Sequence, residues 1–210
     1  MYIPKFYRVP IATQHELIES HPFAVMATSV KGELHGAHVP FVLHREEGPY
    51  GTLRAHIARA NPIASVLPDG PDVLIAFSGP HAYISASDYA SGEPFPTWSF
   101  VVVHASGQAR QLSDDELRIQ LRELIAGQEA RFPREPWTLE RATQEAFDGF
   151  FRQIVGFEVP IRKLEGYFKL HQRNSWQDAD SQARALRQRG DDTAAALADL
   201  IDAHNRHRRE

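Results

Sequence analysis

The chain predicts a mainly β fold with peripheral helices, an antiparallel barrel or sandwich, and three features of the sequence lead there. Short apolar runs separated by turn residues recur through its first half, the pattern of paired antiparallel strands. The longest of them, Trp98 to Arg110, carries Val101-Val102-Val103, a run expected in a strand buried on both faces. From Ser113 onward the apolar period changes to that of a helix, so helices gather in the second half.

An extended arm runs to Pro10. Thr13-Gln14-His15-Glu16 reads as a capping box, in which the Thr13 hydroxyl and the Glu16 carboxylate satisfy helix N-terminal donors. The short helix it opens carries Leu17 and Ile18 and stops before Pro22. Phe23 to Thr28 is a strand, Lys31-Gly32-Glu33 a turn, and Leu34 to Leu43 the strand that pairs back. Tyr50 to Arg54 and Val73 to Phe77 are the next strands. Between them, His56-Ile57-Ala58-Arg59-Ala60-Asn61-Pro62 leads into a short helix that ends near Pro68-Asp69-Gly70. Ala82 to Ser85 is another strand, and Ser87 to Pro96 a polar loop before the long strand at Trp98.

In the second half, Ser113-Asp114-Asp115-Glu116 is another capping box, and Leu117, Leu121, Leu124 and Ile125 share one helical face. Thr138 to about Gln153 is a further helix, with Ala142, Ala146, Phe147, Phe150 and Phe151 on its apolar side. Val155 to Leu170 returns to strand, interrupted at Glu165-Gly166. The remainder, from Ser175, is charged and alanine-rich, with Leu197, Leu200 and Ile201 as one stripe. The expected organisation is a barrel domain over residues 1–172 and a C-terminal helical extension over residues 173–210, packed on the barrel or on a partner subunit.

Composition narrows the function. The 210 residues, 42% hydrophobic and 24% charged, can bury a substantial core. A net charge of −4 gives no general attraction to nucleic acid, and the basic run His204-Asn205-Arg206-His207-Arg208-Arg209 is short and terminal. With no cysteine, disulfides, thiolate catalysis and Cys-ligated metal clusters are excluded. The start of the chain lacks an apolar signal region and no run is long enough for a membrane span, so a cytoplasmic location is expected. Ser85, Ser87 and Ser99 lie outside any Gly-x-Ser-x-Gly elbow, which argues against covalent hydrolysis.

The residues that carry chemistry concentrate at His56 to Pro62. A strand that runs into a helix N-terminus offers unpaired N–H groups to an anion. Arg59 would add a bidentate phosphate or carboxylate contact, and His56 could donate to a ligand or bind a metal or heme iron as neutral imidazole. The other reading of the same residues is a strand-end turn in which Arg59 is ion-paired and Asn61 caps the helix.

Several motifs occur together: Met1-Tyr2-Ile3-Pro4, the His56 to Pro62 run, Ser78-Gly79-Pro80-His81-Ala82-Tyr83-Ile84-Ser85, Pro96-Thr97-Trp98, Val103-His104-Ala105-Ser106-Gly107, Ile154-Val155-Gly156-Phe157-Glu158, Glu165-Gly166 and Phe168-Lys169-Leu170. In this order and spacing the chain resembles the PaiB family across residues 1 to 190. The resemblance implies a split β-barrel of the FMN-binding type, a homodimer with cofactor sites at the subunit interface, and the family label of FMN-binding negative transcriptional regulator. It also implies an FMN pocket built around His56, Arg59, Asn61, His81, Trp98 and Lys169, with Arg59 toward the phosphate and Tyr83, His81 and Trp98 beside the isoalloxazine. FMN and a small-molecule ligand are therefore the expected partners, ahead of DNA, which the charge disfavours.

Some motif positions depart from the family pattern. Asp88 stands where the family has an aromatic, Tyr167 where it has a lysine, and His171 where it has a serine. One branch that this family includes, the piperazate synthases, uses heme b held by a histidine to form an N–N bond from an N-hydroxylated ornithine. Resemblance to that branch implies His56 as the axial metal ligand and Asp88 or His171 as a catalytic base.

Overall fold

A computed structural model describes residues 1–92 and 95–206. Glu93 and Pro94 of the predicted polar loop, and the end of the terminal basic run from His207, lie outside the described residues. Among the described residues there are eight strands: β1 (Phe23–Val30), β2 (Glu33–Pro40), β3 (Val42–His44), β4 (Thr52–Ala58), β5 (Asp72–Ile84), β6 (Thr97–Gln108), β7 (Arg110–Gln111) and β8 (Ile154–Lys169). The helices are α1 (Ile11–Ser20), α2 (Asp114–Glu129), α3 (Gln144–Phe151), α4 (Trp176–Gln188) and α5 (Asp192–Asn205), and shorter 3-10 turns lie between elements. The sheet runs β2-β1-β5-β6-β8-β4-β3, with β7 beside β8. The mainly antiparallel sheet with helices agrees with the predicted split-barrel class, but the ladder is open, with β2 and β3 at its ends.

The chain divides into two compact units. One comprises Ile18–Phe77 and His104–Leu164, the other Met1–Leu17, Ser78–Val103 and Glu165–Glu210. In the first, β1 and β2 form a hairpin in register from Phe23↔Pro40 to Val30↔Glu33. Its turn residues Lys31 and Gly32 both have positive φ, the geometry that follows the twist of the strands. The core contains Leu53, Ala55, Ile75, Phe77 and Phe157, all fully buried, and Phe41 packs edge-on against Phe77 and Phe157. Beside it, α2 and α3 contribute Leu117, Leu121, Phe147 and Phe151, which pack with Ile154. The capping box at Ser113 is present as predicted, with the Ser113 hydroxyl accepting from Glu116 N and the Glu116 carboxylate accepting from Ser113 N. In the other unit α4 and α5 form a pair, tied by Arg187 to Asp199 and Asp202.

The structure corrects several element boundaries. Helix α1 starts at Ile11, so Thr13 lies inside it, and the Pro10 carbonyl accepts the first helical bond from Gln14 N. The strand expected over Leu34 to Leu43 breaks at Phe41, whose burial turns the chain so that β3 pairs with β4 instead of β1. The two strands expected over Val73–Phe77 and Ala82–Ser85 are one, β5, which passes straight through Gly79-Pro80. Gly79 is required there by close packing, since a Cβ would lie 2.6 Å from Leu17 and 2.7 Å from Val101. Burial along β6 alternates, and Val102 is only half-buried, because the strand has one core face and not two. The helix expected from Thr138 begins at Gln144, where Thr143 accepts from Ala146 N as the N-cap. Strand β8 continues through Glu165-Gly166, where Gly166 makes room for Gln14.

Candidate functional site

Strand β4 alternates cleanly: Leu53, Ala55 and Ile57 are buried, and Arg54 and His56 point to the other face. His56 thus lies within β4, two residues beyond the predicted strand end at Arg54, and not at a helix N-terminus. Its register partner on β8 is Gly156. A Cβ at Gly156 would lie 2.8 Å from Leu117, so this glycine allows α2 to approach the sheet closely. That approach, fixed by buried Leu117 and Leu121, brings Gln120 to His56.

The His56 Nδ1 lies 3.2 Å from Gln120 Oε1, and the Phe150 ring meets the imidazole edge-on at 6.4 Å. Burial lowers the His56 pKa, and the bond to Gln120 offsets this only in part, so the ring is neutral at neutral pH. A neutral imidazole that donates Nδ1–H to the Gln120 carbonyl carries its lone pair at Nε2. Among the described residues that nitrogen has no protein partner. Gln120 is fully buried, and its Nε2 is unpaired. Nearby Arg54, on the same face, is committed to Glu47 and Glu158.

Arg59 donates from Nε to the Arg152 carbonyl at 3.1 Å and from Nη2 to the Ile154 carbonyl at 2.8 Å, so it fastens the connection from α3 to β8. Asn61 Oδ1 accepts from Ile63 N at 3.0 Å and caps the 3-10 helix Pro62–Asp69. Of the two readings of this motif, the turn and cap describes these contacts, with backbone carbonyls in place of an ion-pair partner for Arg59.

The remaining predicted residues belong to the other unit. On β5 and β6, His81 and Tyr83 lie beside Trp98, with ring centroids at 5.9 and 6.2 Å. Trp98 is 53% exposed and Tyr83 45% exposed, so the cluster presents aromatic surface to solvent. Lys169 donates to Thr97 Oγ1 at 2.5 Å, next in the chain to Trp98, and desolvation lowers its pKa. His171 is 4% exposed, with Nε2 2.7 Å from the Ser99 hydroxyl and a φ of 62°. Burial, and then the charge of Lys169, pushes its pKa down to about 4. The Asp88 carboxylate accepts from Ser85 N at 3.3 Å and from Arg189 Nη2 at 3.0 Å. His171 and Asp88 are thus each tied to neighbouring groups of the same unit. His81 and Trp98 are brought together, whereas His56, Arg59 and Asn61, in the first unit, each have different partners.

Gln120 is the residue that sequence reasoning missed. The signal was present: it lies between Leu117, Leu121 and Leu124 on the apolar stripe of α2, where a polar side chain has to be matched by a buried partner.

A family model described as "Putative FMN-binding domain" matches residues 1–163. The Bacillus subtilis protein named protease synthase and sporulation protein PAI 2 is 29% identical over 203 residues, covering 96% of this chain and 97% of the relative. An uncharacterized protein of Emericella nidulans is 26% identical, covering 91% and 92%. Among solved structures, the FAD and heme binding protein of Mycobacterium smegmatis aligns with a TM-score of 0.58 at 14% identity, over 80% of this chain and 73% of that one. The flavocytochrome Anf3 of Azotobacter vinelandii aligns with a TM-score of 0.52 at 16% identity, over 80% and 72%. At these identities the two structures speak for the fold. Among the described residues no helix is long and apolar enough to cross a membrane.

Proposed function

The chain belongs to the family of FMN-binding domains that includes PaiB, and from that premise we propose that it binds FMN against the face of His81, Tyr83 and Trp98 and uses it in redox chemistry on a small molecule. The observation that supports this reading is the exposed aromatic cluster on adjacent strands, which suits a flat conjugated ring. When bound, FMN supplies one- and two-electron transfer. Trp98 and Tyr83 give the ring apolar surface and exclude water from it. His81 offers a polar contact at the edge of the cluster, and Lys169, positioned by Thr97, adds positive charge toward an anionic group. A second copy of the chain completes the pocket.

Titration of the purified protein with FMN tests this. Binding is expected to quench both flavin and tryptophan fluorescence. Trp98→Ala is expected to weaken FMN about tenfold or more, in line with the ~1–3 kcal/mol of a flat ring stacked on an aromatic side chain, and Trp98→Phe to retain most of the affinity. Wild-type affinity in Trp98→Ala would overturn the assignment of this face.

A second reading is favoured by one separate observation, the contact of His56 Nδ1 with the carbonyl oxygen of buried Gln120, which suits a neutral imidazole with its lone pair at Nε2. That nitrogen suits axial ligation of heme b, and heme iron supplies Lewis acidity toward an N-hydroxylated amine such as hydroxyornithine. Reconstitution with ferric hemin is expected to give a Soret band that His56→Ala abolishes or shifts. A band unchanged in that variant would rule out His56 as ligand.

A further inference from the structure

We infer that Gln120 is the positioning residue for His56, holding the imidazole in the tautomer that keeps Nε2 free to bind a Lewis acid. The inference rests on the second reading above only for the nature of what meets Nε2. Gln120 stands in the apolar stripe of α2 and is fully buried, yet only its Oε1 is used and its Nε2 is left without a partner. Leaving half of a buried amide unpaired is costly, and methionine would fill the same space without that cost. The feature that glutamine supplies and methionine lacks is a carbonyl oxygen at His56 Nδ1.

The geometry makes the carbonyl decisive. His56 is fixed at the backbone by the β4–β8 ladder, and Phe150 touches the ring edge-on, so the ring plane is set from two directions. At 3.2 Å from Gln120 Oε1, Nδ1 must carry the proton, because a lone pair there would face the lone pairs of the oxygen. The proton at Nδ1 leaves Nε2 as a σ-donor. With the amide reversed, the N–H groups would meet Nδ1, the ring proton would move to Nε2, and binding to a Lewis acid at that atom would be blocked. With Oε1 at Nδ1, Gln120 therefore favours the imidazole that ligates over the one that only donates a hydrogen bond. Metal-binding histidines are commonly oriented by such a partner at the other nitrogen, and its loss lowers metal affinity about 10–100-fold.

The test uses the full chain with labelled histidine, whose ring nitrogens report the tautomer by heteronuclear NMR, with His56→Ala identifying the signals. Wild type is expected to show His56 protonated at Nδ1. Gln120→Met is expected to shift the population toward protonation at Nε2 and to weaken ferric hemin about 10–100-fold. Gln120→Glu, which keeps an acceptor at Nδ1, is expected to restore the wild-type tautomer and hemin affinity and to lower the iron reduction potential. An unchanged tautomer in Gln120→Met would overturn the inference. If the tautomer follows residue 120 while hemin gives no His56-dependent band, the positioning role stands and the heme reading fails.

Discussion

Gly107→Ala is expected to destabilise the protein by about 3 kcal/mol or more, the upper range for overpacking in a rigid core. Gly107 lies on β6, and a Cβ there would sit 2.3 Å from the Pro160 carbonyl oxygen, 2.9 Å from Val159 Cγ1 and 3.3 Å from the Pro160 carbonyl carbon. The nearest atom is backbone of the neighbouring strand β8, so no rotamer change can relieve the clash. Relief requires β6 and β8 to separate, with loss of ladder bonds. Gly127 in α2 is the control, since nothing lies within 4 Å of its added Cβ. Gly127→Ala is expected to stabilise by about 0.5–1 kcal/mol through helix propensity. Urea midpoints of the two variants should move in opposite directions, and a Gly107→Ala midpoint equal to wild type would show that the strands are less closely packed.

The second large effect is a loss of stability in mild acid, driven by His171. Burial holds its folded pKa at about 4, below the ordinary 6.5. Below pH 6.5 the unfolded chain takes up a proton that the folded chain refuses, so stability falls as pH drops and the penalty is complete below about pH 4. The shift corresponds to about 3 kcal/mol at completion. His56, also lowered by burial, acts with the same sign. Carboxylates held low by their partners, such as Glu116 at about 2 beside Arg110, lose their contribution at more acid pH and leave the upper part of this window to histidine. Denaturation midpoints at pH 7 and pH 4.5 measure the effect. His171→Asn tolerates the left-handed backbone at that position and has no titratable ring, so its stability is expected to vary much less between the two pH values. A wild-type slope retained in that variant would place the acid sensitivity elsewhere.

Much of the fold was legible because local chemistry and tertiary context agree. Lys31-Gly32 makes a hairpin turn, Ser113 to Glu116 makes a cap, and the structure contains both. Misreadings arose where a local signal was overruled from a distance. Thr13 and Glu16 have the spacing of a capping box, but Pro10 already starts the helix. Gly79-Pro80 and Glu165-Gly166 read as breaks, yet each glycine is there to admit a neighbouring side chain against an unbroken strand. The same holds at the site. His81 and Trp98 could be grouped from their motifs and meet as rings. The contacts of Arg59 were not legible, because a sequence cannot show that the carbonyls of Arg152 and Ile154 come within its reach. Gln120 escaped notice for a similar reason, since its partner is 64 positions away in the chain.

Arg189, at the C-terminal end of α4, donates to the backbone carbonyl of Tyr83 and to the Asp88 carboxylate. One guanidinium thus satisfies the strand that displays the aromatic face and the turn that follows it. In evolutionary terms these positions are coupled: a descendant that lost Arg189 would need a new donor for the Tyr83 carbonyl and a new counter-charge for Asp88 at the same time. Substitutions at 88 and 189 are therefore expected to travel together among relatives, and drift in the helical tail is constrained by a residue whose effect is felt on the sheet.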